Sequence, residues 1–102
     1  MARLEQLIEF LAAEPEDAFL RYGLAMEYAK LGEHDKALAE FNELLRRNPD
    51  YVAGYFMAGR TCEQKGEPED AKKFYQQGVQ TANKVGDHHA AGEISAALMM
   101  LE

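Results

Sequence analysis

The chain has one cysteine, three prolines, no tryptophan, and no apolar run near the roughly 18 residues that a membrane span requires. A lone thiol, Cys62, excludes an internal disulfide and suits a reducing compartment. Glu5 and Glu9 interrupt the start of the chain before a signal-peptide core can form, so a cytoplasmic location is expected. Bases are scarce: 11 Lys and Arg face 18 Asp and Glu, for a net charge of −7. Such a body repels phosphate backbones, so nucleic acid is not an expected partner, and neither is a membrane. No Gly-rich phosphate loop is present, and no nucleophile-elbow motif surrounds Ser95, the only serine. What the chain does have is 47% hydrophobic residues and ten aromatics among its 102 residues. That supplies one domain with a core and argues against disorder.

The breaks in the chain are regular. Pro15 and Pro49 are 34 residues apart, as are Gly32 and Gly66, Ala37 and Ala71, and Phe41 and Tyr75. A fixed period in this range signals stacked supersecondary units. Between the breaks every segment has helical periodicity. Leu4, Leu7, Ile8 and Leu11 recur at spacings of three and four and predict a helix over about 2–13. Five more are expected over Ala18–Leu31, Asp35–Arg47, Val52–Lys65, Pro68–Lys84 and His88–Leu101. Gly32 and Gly66 supply left-handed helix ends, and Pro68 suits a first helical turn. Leu38, Phe41, Leu44 and Leu45 should face inward on the third helix. Ala91, Ile94, Leu98 and Leu101 should do so on the last. Short connections make neighbouring helices antiparallel, and each pair carries too little apolar surface to stand alone, so the pairs must stack.

This spacing resembles the tetratricopeptide repeat. Where that family places a bulky aromatic, Leu-Gly and Tyr, the first unit has Arg21, Leu24, Ala25 and Tyr28. The second unit has Tyr55, Ala58, Gly59 and Cys62. Where the family has Ala, an aromatic and Pro, the units read Ala37, Phe41, Pro49 and Ala71, Tyr75, Asn83. Arg21, Cys62 and Asn83 depart from the pattern. The resemblance implies an all-α, right-handed α-solenoid of stacked antiparallel helix pairs. It divides the chain into an N-terminal half-repeat helix (1–14), repeat 1 (18–51), repeat 2 (52–85) and a C-terminal capping helix (87–102).

Function is expected on the second helix. Leu24, Tyr28 and Leu31 form one apolar stripe toward its helix partner. Phe19, Tyr22, Met26 and Ala29 form a second, pointing roughly the opposite way. A helix apolar on two sides must be covered on both or leave an exposed patch. The resemblance implies a concave groove lined by the first helix of each pair. Its positions here are Phe19, Tyr22, Met26, Ala53, Phe56, Met57, Arg60, Glu63 and Gln64. Aromatics, Met and Arg are enriched at interface centres. A branch of the family clamps a C-terminal carboxylate with polar groove residues; only Arg60 could do so here. The expected role is a non-catalytic interaction module, with no cofactor or metal, that binds an apolar or amphipathic peptide or helix of a protein partner. One alternative is a homodimer, meeting through this stripe or through Leu98, Met99 and Met100. A remote one is a small helical metalloenzyme using His88, His89 and Glu93. Against it, no H-x-x-x-H or E-x-x-H spacing occurs, and polar capping explains Asp87-His88-His89 more simply. Cys62 is expected in the core as an inert thiol.

Overall fold

The structure, a computed structural model, describes residues 2–102. It contains six helices and, among the described residues, no strand. They are α1 (Arg3–Ala13), α2 (Ala18–Lys30), α3 (His34–Arg47), α4 (Val52–Lys65), α5 (Pro68–Val85) and α6 (His88–Met99). The expected boundaries hold to within two residues.

The ends of the helices have chemical causes. The Asp17 carboxylate accepts the N–H of Leu20 at 3.0 Å and starts α2; Asp87 does the same for Ala90 at α6. These bonds satisfy donors that an open helix end would leave bare. Three glycines, Gly32, Gly66 and Gly86, hold φ near +80° (78°, 87° and 81°). After each, the chain turns back in the same way: Glu33, Glu67 and Asp87 donate to the carbonyls of Tyr28, Cys62 and Ala82 at 2.8–2.9 Å. Only glycine takes this conformation without steric cost, so the turns sit where the glycines sit. Gly86 lets α5 run through Asn83 and still stop, which is why no proline is needed there.

Each helix packs on its neighbour in sequence. In addition the backbones of α2 and α4, and of α4 and α6, come close, whereas those of α1, α3 and α5 stay farther apart. The array therefore curves, with α2, α4 and α6 on its inner side. Phe41, Ala37, Leu44, Ala25 and Ala58 are fully buried in one cluster. Tyr75, Ala71, Ile94 and Cys62 form the next, and Leu7, Leu11 and Leu24 the first. Leu38, Leu45, Leu98 and Leu101 are only half-buried, although the periodicity points them inward. Leu31 does not face its helix partner as expected. It lies in the turn after α2 and is 55% exposed.

The period also governs the departures. Arg21 stands 34 residues before Tyr55, and Pro15 the same distance before Pro49. The Arg21 guanidinium donates to the Pro15 carbonyl, and the Tyr55 hydroxyl donates to the Pro49 carbonyl. Two unlike side chains thus tie the same corner. Arg21 also donates to Glu40 at 2.8 Å, which keeps its largely buried charge paired.

Candidate partner-binding groove

The inner side carries two adjoining hollows. The first, of about 550 Å³, lies between α1 and α2. Phe19, Tyr22, Met26, Gly23, Glu27 and Lys30 line it from α2, and Arg3 and Leu7 from α1. The second, of about 170 Å³, lies between α2 and α4, lined by Met26, Ala29 and Lys30 opposite Met57, Arg60, Thr61 and Gln64. Met26 and Lys30 border both, so the hollows form one continuous surface.

The nine expected positions fall into three groups. Phe19 is 74% exposed and fully available. Arg60, Gln64, Glu63 and Ala53 are exposed as well, but Glu63 and Ala53 line neither hollow. The Glu63 carboxylate instead accepts the Tyr75 hydroxyl. Tyr22, Met26, Phe56 and Met57 are half-buried, each partly covered by this chain's own core. Tyr22 and Phe56 share a repeat position and behave alike. The Tyr22 ring meets Phe41 edge-on, with centroids 6.3 Å apart at 64°. Phe56 meets Tyr75 at 6.0 Å and 64°. Tyr22 also leans on Tyr51 at 5.4 Å. Burial, and then Tyr51, raise the Tyr22 hydroxyl pKa, so it stays a neutral donor. The second stripe is therefore half absorbed by the fold; its open part is Phe19 with the outer flanks of Tyr22 and Met26.

Charge is unevenly placed. Arg3 Nε lies 3.3 Å from Glu27, whose side chain is 12% exposed. Lys30 and Arg60 enter no ion pair among the described residues. On a chain of net charge −7, the groove thus holds two free cations.

Arg3, Leu7, Gly23, Glu27 and Lys30 escaped the sequence reading. Three of them carry a signal in the sequence, since Gly23, Glu27 and Lys30 of α2 stand one period before Met57, Thr61 and Gln64 of α4, whereas the spacing of α1 does not mark Arg3 or Leu7. Elsewhere, His89 and Glu93 do share a helical face, four residues apart, with Nε2 and Oε1 at 3.2 Å. Among the described residues no three His, Cys, Asp or Glu side chains gather as a metal site. Cys62 is buried, and burial followed by the Asp70 carboxylate pushes its thiol up to about 11. That suppresses the thiolate. Among the described residues no helix is long and apolar enough to cross a membrane.

A tetratricopeptide repeat family model matches residues 22–84. A tetratricopeptide repeat-containing protein of Pseudomonas aeruginosa is 29% identical over 97% of this chain and 94% of its own length. A tetratricopeptide repeat domain protein of Salinibacter ruber, solved by NMR, is 38% identical, with a TM-score of 0.81 over 86% of this chain and 89% of that one. The TPR2B domain of yeast Sti1, in its complex with pHsp70, superposes with a TM-score of 0.89 over 96% of this chain and 78% of that one. At 21% identity it shares the fold alone.

Proposed function

The chain belongs to the tetratricopeptide repeat family, and from that premise we propose that it is a non-catalytic interaction module whose inner groove holds an apolar or amphipathic segment of a protein partner. The observation that carries this reading is Phe19. A phenylalanine 74% exposed, beside half-open Tyr22 and Met26, is an apolar anchor that the described residues leave largely uncovered. Lys30 stands at the far end of the same hollow and Arg60 in the adjoining one, and both set orientation by charge. The helices are held by their own cores before any partner arrives, so little ordering entropy opposes association. The yeast Sti1 domain of the same fold is seen in complex with pHsp70, which lends support by analogy. The environment of Cys62 supports a non-catalytic role, since its thiol is buried and protonated.

The test is affinity capture from source-cell lysate with the wild-type chain and the Phe19→Ala/Arg60→Glu variant. Both side chains are exposed, so the helical circular dichroism should be unchanged. Tyr22→Ala is a poorer probe, because it also strips packing from Phe41 and Tyr51. A specific partner retained by wild type and lost by the variant is the expected result. Equal retention by both moves the site elsewhere. Light scattering after gel filtration decides the homodimer alternative, which a strict monomer at high concentration would remove.

A further inference from the structure

The repeat period allows one hollow to be read from the other. The second hollow is the seam where α2 lies beside α4, and α4 brings Met57, Arg60, Thr61 and Gln64 to it. One period earlier stand Gly23, Met26, Glu27 and Lys30, and all four line the first hollow. The first hollow is therefore where a helix would lie beside α2 as α2 lies beside α4. The floor agrees. Phe10 of α1 stands one period before Leu44 of α3. Leu44 is sealed at 0% exposure by the helices above it, while Phe10 is 54% exposed. No described residue fills the corresponding place.

The seat has a direction. α1 and α2 run antiparallel, so Phe10 and Phe19 mark one end and Arg3, Glu27 and Lys30 the other. An occupant lying parallel to α2 would bring its C-terminal turn, the negative end of its dipole, to Arg3 and Lys30. Lys30 is the free charge there, with Arg60 next along the groove.

We propose that this seat takes one amphipathic helix of a partner protein, apolar at i, i+3, i+4 and i+7 and carrying carboxylate side chains in its last turn, which supplies the first helix of the half repeat whose second helix is α1. The proposal rests on the interaction reading above and narrows it to one end of the groove. A second copy fits less well. Each copy has a net charge of −7, so copies repel, and α6, which ends at exposed Met99 with exposed Met100 after it, has no acid in its last turn.

The chain itself supplies the probe, because α2 is the helix that fills the equivalent seat on α3 and α4. A fluorescein-labelled peptide spanning Asp17–Gly32 with Lys30→Glu is titrated against the whole protein by anisotropy. The same peptide without the substitution is the control. The substituted peptide should bind the more tightly, by up to roughly fivefold at low salt, as expected for one solvent-exposed ion pair. Lys30→Glu in the protein should reverse that preference. Phe10→Ala/Phe19→Ala, which changes two exposed side chains, should weaken binding tenfold or more with circular dichroism unchanged. Absent binding overturns the proposal, as does equal affinity of the two peptides. Full binding to the Phe10→Ala/Phe19→Ala variant together with loss on Arg60→Glu also overturns it, but places the ligand between α2 and α4 and leaves the interaction reading standing. A wild-type dimer that Phe10→Ala/Phe19→Ala dissociates overturns it in favour of a second copy.

Discussion

Replacing Gly59 by alanine tests the repeat packing at its tightest point. Gly59 lies inside α4, where alanine is ordinarily the better residue by about 0.5–1 kcal/mol. Here a Cβ would stand 2.3 Å from Cε1 of Tyr75, 2.6 Å from Cδ1 and 2.9 Å from Cζ. The ring cannot step aside. It is fully buried, its edge is met by Phe56 and its hydroxyl is held by Glu63. Overpacking of this kind costs about 1–3 kcal/mol, and three simultaneous clashes belong at the upper end. Set against the helix gain, the net loss is about 1–2 kcal/mol, or a fall in melting temperature of roughly 4–16 °C for a domain of this size. Gly92→Ala is the control. A Cβ there meets nothing within 4 Å, so the substitution should stabilise by about 0.5–1 kcal/mol. Thermal melts followed by circular dichroism compare the two. Shifts of the same sign would refute the argument, because only the Tyr75 contact distinguishes the sites. Adding Tyr75→Leu to Gly59→Ala should then cost less than the two changes summed.

Other consequences are checked as directly. Phe41→Ala empties a fully buried position and should cost about 3–5 kcal/mol, a large share of a small domain's typical 5–15 kcal/mol; an unchanged urea midpoint would contradict the register. Hydrogen bonds from Arg46 and then Arg47 hold the Glu43 carboxyl down from 4.5 to about 2. A depressed carboxylate stabilises the fold fully above its unfolded pKa and loses that effect as pH falls through the folded one. The urea-midpoint gap between wild type and Glu43→Gln should therefore stay constant above pH 4.5 and close toward pH 2. Native Cys62, with its thiol raised to about 11, should react with iodoacetamide near pH 8 only as fast as the chain opens; reaction at the rate of a free thiol would mean an open site.

Much of the architecture was legible because it is written in local terms. Gly32 and Gly66 mark their turns because a left-handed backbone favours glycine, and a periodic apolar face is visible without knowing what covers it. The buried pairs Ala37 and Phe41, and Ala71 and Tyr75, followed from the same period. The groove was legible only in part. A helical wheel places Phe19, Tyr22 and Met26 on one side of α2 but does not say how far Phe41 and Tyr51 reach round to cover Tyr22. Nor does it say that α1 contributes Arg3 and Leu7 to the same hollow. Arg21 looked like a fault in the pattern until the Pro15 carbonyl and Glu40 lay beside it.

By itself, then, the order of residues determined the helices, their ends and the 34-residue stacking, since backbone preference and hydrophobic period act within a few residues of each position. The tertiary structure alone decided which apolar side chains remain open. Exposure depends on neighbours brought from far along the chain, and Phe10 and Leu44, one period apart, end at 54% and 0% because the described helices enclose Leu44 and leave Phe10 half open.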